Sequence, residues 1–458
     1  MATVAPFRGL LYSASRIPDL TTVVAPPYDV ISTEKAQEYR ARDSHNIVHV
    51  DLPAGEAPGR YARAAQMLSR WREEGVLERD NAPALYVTSQ RYSVRGMPEK
   101  VRWGFIGLLR IEEEGSAVVL PHEKTHDEPR ADRLDLILAT RGQISPIFVL
   151  FSDPPGEISS TIEAVSHRPA DRWVSDDAGV DTRMWRMGDP ETIGSICGAL
   201  RERKIWIADG HHRYAAAREA RDRLRAGQTA APPGSLSYDY VLAYFSNVDA
   251  PGLTILPYHR VLRGLKRTDL THLPRKLETH FDLKHFSFEG FNHRAEQVRR
   301  RLREVTDRGR LAVALYSGGA GFMLLLLKPG QLTGPLLADL PAPLRELDVS
   351  VLQRAVLEAS LGFTPGAQRE GTSLRYTEDV ERAMSWVDAG EGQAAFLLNP
   401  PRRHQMLEAA EAGLRMPQKS TYFYPKVLTG LVINAFDPAE EVHSVAQGSS
   451  HAPTAAKG

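Results

Sequence analysis

Residues 205–217 read IWIADGHHRYAAA: an apolar run that breaks at Asp209-Gly210 and resumes as a helix. Ile205, Trp206, Ile207 and Ala208 have the short β-branched and aromatic character of a buried strand. Gly210 lets the backbone turn where a Cβ would clash. His211, His212 and Arg213 then fall in the first helical turn, whose dipole and amide donors attract anions and converge with these side chains on one point. An arginine there adds a planar fork matched to phosphate oxygens. The block reads as a phosphate or anion site, with Asp209 either capping the helix or binding a Mg²⁺ that accompanies a nucleotide. The competing reading is structural. In it Asp209 is only an N-cap, and the two histidines, about 100° apart around the helix, are surface residues.

Working outward, strand-like runs recur at 47–52, 85–92, 103–111, 117–120, 147–151, 240–245 and 311–316. Helical spacing is found at 59–74, 132–139, 211–226, 292–307 and 348–359. The fold class expected is α/β, a mixed α+β arrangement without a regular βαβ array. Pro- and Gly-rich seams occur at 153–157, 226–235 and 329–346, and from about 437 the chain turns small and polar. The organisation expected is an N-terminal region 1–265, a C-terminal α/β region 266–436 and a disordered tail 437–458.

Bulk properties narrow the function classes. Lys+Arg and Asp+Glu are both 57 in 458 residues, so the formal net charge is zero. That balance, with no clear helix-turn-helix, argues against nucleic acid as a partner. The single cysteine, Cys197, excludes an intramolecular disulfide and a cysteine-based zinc cluster and fits a cytoplasmic setting. The first residues lack a secretory apolar core and the longest apolar run, 322–327, is too short for a bilayer, so no membrane partner is expected. Oligomeric state is not legible.

Other motifs compete for chemistry. His122-Glu123-Lys124-Thr125-His126 matches the zinc-protease pattern H-E-x-x-H. However, 122–130 contains no large apolar residue with which to bury a rigid helix, and Pro121 and Pro129 bracket it. The match is therefore read as accidental, and Glu123 remains as a candidate general base. PQKSTYFYPK at 417–426 is dense in donors through Lys419, Ser420, Thr421 and Lys426, and Lys419, Ser420 and Thr421 are candidate phosphate contacts, although it is not a Walker A loop. No G-x-G-x-x-G is present, and Gly318–Gly321 reads as a hairpin turn. Asp132-Arg133 is expected to cap and ion-pair the start of a helix. Arg260 is expected to anchor a buried carboxylate or touch substrate.

Several blocks in order carry a family resemblance: APPYDVIS (25–32), LPHEKT (120–125), Asp132-Arg133, SPIF (145–148), DGHHRY (209–214), GLTILPYHR (252–260), LDVSVL (347–352), FLLNP (396–400) and PQKSTYFYPK. With these the chain resembles the domain-of-unknown-function family 1015. DGHHRY after an apolar strand is similar to the ParB/sulfiredoxin-like superfamily, which includes free-serine kinases. The resemblance implies a ParB/sulfiredoxin-like core with further mixed-sheet segments. It implies phosphate or Mg²⁺ contacts at Asp209, Gly210, His211, His212 and Arg213, and ATP or ADP as phosphoryl donor. The implied activity is a magnesium-dependent small-molecule kinase acting on a hydroxyl compound such as free serine, with Glu123, then Asp29, and His211 as catalytic candidates. The alternative is a ParB-like nucleotide-binding or sensing protein without kinase activity.

Overall fold

The computed structural model describes residues 1–227, 231–264, 267–290, 292–363, 373–437 and 439–443; of the expected tail, 438 and 444–458 lie outside them. These residues form a mixed α/β protein. Contacts divide it into two units. One comprises Met1–Pro121, Thr125–Leu253 and the chain from Pro425 onward; the other comprises His122–Lys124 and Thr254–Tyr424. This departs from the division expected at 265/266. Strand Thr254–Leu256 pairs with Tyr422–Tyr424 and joins the second unit. Asn434–Ala435 pairs with Gly142–Gln143, which draws the final segment into the first.

The first unit is built on a mixed sheet. Its order is Val119–Leu120, Ile205–Asp209, Ile147–Phe151, Tyr240–Asn247, Lys100–Arg110, Leu85–Tyr92, Asp181–Met187 and Arg172–Ser175, with Val4–Ala5 added to Lys100–Arg110. Ile205–Asp209 runs parallel to Val119–Leu120 and antiparallel to Ile147–Phe151, and the latter is parallel to Tyr240–Asn247. Every residue of Ile147–Phe151 and Tyr240–Asn247 is buried. That explains their unbroken apolar runs, since a strand covered on both faces has no polar face to alternate. Helix His211–Ala226 covers one face with Ala216, Ala217 and Ala220, which share a core with Val149, Ile207 and Phe245. Cys197 is packed in the same core, and burial pushes its thiol up to about 12.

Two expectations are corrected here. Residues 47–52, read as a strand, contain the short helix Val48–Asp51. The buried Asn46 side chain accepts from the Val48 N–H at 3.0 Å, and this local turn outcompetes the β-branched run. The helix read at 132–139 spans Asp127–Thr140, so Asp132 does not cap it. Pro129 sits in its first turn, where a missing N–H costs nothing.

The second unit carries a six-stranded antiparallel sheet. Its order is Phe281–Ser287, Gly321–Leu327, Ala312–Tyr316, Ala394–Leu397, His259–Leu262 and Leu374–Thr377. Ala312–Tyr316 and Gly321–Leu327 form the expected hairpin across Gly318–Gly321. Helices Arg294–Thr306 and Val380–Asp388 close its core through Val298, Leu302, Ala383 and Met384.

Candidate functional site in the first unit

Strand Ile205–Asp209 ends in a register shift: Ile207 faces Val149 but Asp209 faces Phe148, leaving Ala208 as the extra residue. Such a bulge re-aims the side chain that follows it. Gly210 then adopts φ +87°, and a Cβ there would lie 3.0 Å from both Ile147 Cγ2 and Arg213 Nε, so glycine is required on both counts. The helix starts at His211 and no side chain caps it. Asp209 is therefore not the N-cap.

Instead, Asp209 Oδ2 lies 3.3 Å from Lys426 Nζ and 3.4 Å from Arg213 Nη2. Burial alone would raise this carboxyl, but Lys426, Arg213 and the nearby His211 hold it well below the usual carboxylate range. Arg213 is anchored inward: Nη1 donates to Ser145 Oγ at 2.9 Å and to the Pro146 carbonyl. Ser145 is also within 3.0 Å of Thr429 Oγ1. The backbone at Lys426 is held in turn. Gln90 Nε2 donates to the Lys426 carbonyl at 3.1 Å, and the fully buried Arg102 donates to the Pro425 carbonyl at 2.6 Å. Arg102 lies over the Phe148 and Tyr244 rings, 4.6 and 5.2 Å from their centroids.

A second cluster lies in the same electrostatic neighbourhood. Buried Arg133 donates to Asp51 Oδ1 at 3.1 Å and to Asp132 Oδ2 at 2.5 Å, and stacks 3.9 Å from the Tyr28 ring centroid. Arg60 and the Tyr61 hydroxyl also bond Asp132, at 2.6 and 2.8 Å. Burial raises the Asp51 carboxyl; Arg133 and Arg213 both oppose that rise, and Asp29 adds to it. Burial also raises the Tyr28 hydroxyl, with Asp29 adding to the rise and Arg133 and Arg213 opposing it. Asp29 itself is exposed.

The residues singled out from sequence separate into groups. Asp209, Gly210, His211, Arg213 and Asp29 fall in the first unit. His212 departs from the expected convergence: its Nε2 accepts from the His126 backbone N–H at 3.0 Å and its ring stacks on His126. Arg213, too, directs Nη1 into the fold, because the Pro146 carbonyl and Ser145 Oγ meet it there. Glu123 groups with the second unit, and 122–126 is not helical. Lys419, Ser420 and Thr421 are also in the second unit. There Ser420 Oγ donates to the Pro417 carbonyl and Thr421 Oγ1 is 3.0 Å from His122 Nε2. Among the described residues Arg260 anchors no carboxylate: it donates to the carbonyls of Tyr258, Gln418 and Lys419, and burial lowers it to about 10.

Asp51 was left out by sequence reasoning, and Lys426 was counted among the donors of its block without being placed beside Asp209. Lys426 stands in PQKSTYFYPK, seven residues past the lysine chosen there. Among the described residues no group of three or more His, Cys, Asp or Glu side chains is arranged to hold a metal. A charged carboxylate at Asp209 fits Mg²⁺ in its usual phosphate-bound form, where one or two carboxylates suffice. No helix among the described residues is long and apolar enough to cross a membrane.

Comparison with known proteins gives distant structural likenesses. A free serine kinase in complex with AMP matches at TM-score 0.32 and 16% identity, covering 67% of this chain and 83% of that one. A conserved hypothetical protein from Pyrococcus furiosus matches at 0.31 and 14%, covering 68% and 88%. SbnI with C-terminal truncation from Staphylococcus aureus matches at 0.34 and 10%, covering 71% and 86%. No curated protein matches the chain. The sequence pattern of the family described as protein of unknown function, DUF1015, matches residues 4–350, and the chain belongs to that family.

Proposed function

We propose that the first unit binds the phosphates of ATP or ADP and transfers the terminal phosphoryl group to a small hydroxyl compound such as free serine. The observation that carries this reading is the pairing of Lys426 and Arg213 with Asp209 at the start of an uncapped helix. Phosphoryl transfer needs little covalent chemistry from a protein. It needs a cationic cradle, donors at the phosphates and a base for the attacking hydroxyl. The helix start and Lys426 supply the first two. Asp209 would hold a nucleotide-borne Mg²⁺, whose charge neutralises phosphate oxygens. Lys426 and Arg213, with a smaller contribution from the buried His211, keep that carboxylate ionised.

The acceptor oxygen attacks the terminal phosphorus, the bond to the ADP or AMP leaving group breaks, and the hydroxyl proton passes to a carboxylate. Asp29 is the base we favour over Glu123. It is exposed and shares an electrostatic neighbourhood with Tyr28, Asp51 and Arg213 in the unit that carries the cradle. The cytoplasm, where ATP and ADP are plentiful, is the setting proposed.

The test is a screen of the purified protein with ATP, ADP and CTP against pooled hydroxyl amino acids, reading phosphorylated products by mass. Product should form with ATP or ADP in the presence of Mg²⁺. Asp29→Asn should lower kcat by about 10²–10⁴-fold, with Glu123→Gln unchanged. The reverse pattern would move the base to Glu123. Nucleotide binding without any phosphorylated acceptor would replace the kinase reading with a sensing protein.

A further inference from the structure

The second unit contains a separate cavity of about 240 Å³. Thr306, Arg310, Glu346, Asp348, Asn399 and Arg402 are among the residues that line it. It joins LDVSVL and FLLNP, two sequence blocks that the phosphate site does not use. Its size is just below the range of drug-sized ligand sites, so it admits a molecule of only a few heavy atoms.

Its polar groups are arranged unusually. Asp348 Oδ1 accepts from the Ala312 backbone N–H at 3.1 Å, which fixes the carboxylate at the pocket wall. Arg402 is exposed and donates through Nη2 to the Thr306 carbonyl at 3.1 Å, which fixes the guanidinium there as well. The two feel each other's charge through space rather than as an ion pair. Asn399 is held by its amide on the Leu302 carbonyl and Thr306 Oγ1. Arg310 is committed to Asp282 and the Leu327 carbonyl. Besides the committed Arg310 and the exposed Glu346, the small cavity thus carries one anchored carboxyl, Asp348, and one anchored guanidinium, Arg402, held apart. A ligand with a single charge complements one of them. A ligand with an ammonium and a carboxylate a few bonds apart complements both.

We propose that this cavity is a binding site for a small zwitterion of the α-amino acid class, with Asp348 receiving the ammonium and Arg402 the carboxylate. The site requires no nucleotide and stands independently of the phosphate-site reading. Burial raises the Asp348 carboxyl to about 7 against the opposing pull of the Ala312 N–H, Arg402 and Asn399, and Arg310 and Glu346 are the other charged groups on the cavity wall. Ammonium binding needs the ionised form, so affinity should fall about tenfold per pH unit below 7.

Calorimetric titration of the full chain with L-alanine, ethylamine and propionate, at a pH above 7 and without nucleotide, tests the proposal. L-alanine should bind saturably, with each singly charged fragment at least about tenfold weaker. Asp348→Asn, which keeps an acceptor for Ala312, and the exposed Arg402→Ala should each weaken L-alanine by at least about tenfold. Lys426→Ala should leave this binding unchanged. Absent L-alanine binding, ethylamine binding as tightly as L-alanine, or binding indifferent to both pocket variants would each overturn the assignment.

Discussion

Asp209 in the first unit and Asp348 in the second are both enclosed carboxyls that accept hydrogen bonds, yet they shift in opposite directions. Asp209 has an ammonium and a guanidinium within 3.4 Å and stays ionised far into acid. Asp348 has a backbone amide and a more distant guanidinium, and burial dominates, raising it to about 7. Enclosure therefore does not decide ionisation; a cation at ion-pair distance does. A carboxylate locked in its charged form would suit the proposed phosphate site, where a nucleotide-borne Mg²⁺ would have to be held at any working pH. One poised near neutrality suits a site that exchanges a proton for a cationic ligand.

The contrast can be sharpened through pH. In the second unit, His259 is buried and lowered to about 3, chiefly by burial and then by Arg260. As pH falls from about 6.5 the unfolded chain takes up a proton that folded His259 refuses, and stability is lost. Asp348 acts in the opposite sense: between about 4 and 7 the folded state holds a proton that the unfolded chain does not, so acid adds stability. The two slopes nearly cancel in the native protein. Asp348→Asn should expose the His259 contribution, a loss of about 1.4 kcal/mol per pH unit below about 6.5, read by denaturant unfolding across that range. An unchanged pH slope in the variant would place Asp348 in ordinary solvent and remove half of the comparison.

A smaller effect probes the turn that aims Asp209. Gly210→Ala should cost about 2–3 kcal/mol of stability, from left-handed strain plus the contact with Ile147. Gly156 has a similar φ of +76°, with nothing within 4 Å of where a Cβ would sit, so Gly156→Ala should cost only about 1–2 kcal/mol. Equal losses would mean that the close approach beneath Asp209 has no energetic weight.

What was legible in the sequence was local. The strand and helix either side of Gly210 need only apolar runs and one glycine, and 211–226 forms the helix its pattern predicts. Lys426 was not legible as Asp209's partner because 217 residues separate them and only tertiary folding brings them together. Asp51 was hidden by the V-H-V-D alternation, which reads as a strand until the Asn46 turn is seen. Arg213 was legible as a cation near the site but not as one facing inward, since its direction depends on the Pro146 carbonyl. The sequence could not show that the Thr421 hydroxyl meets His122 or that the Ser420 hydroxyl meets the Pro417 carbonyl, since both partners are set by the fold.

The central claim is that Lys426 and the helix start at Gly210 hold nucleotide phosphates. Equilibrium binding of ATP and ADP to wild-type and Lys426→Ala protein, each checked for an intact fold, tests it most directly. Wild-type protein should bind one of the two, and the variant, which leaves Asp209 facing the phosphates with one cation fewer, should bind at least about tenfold more weakly. Equal affinity in the two proteins, or no binding by the wild type, would contradict the account.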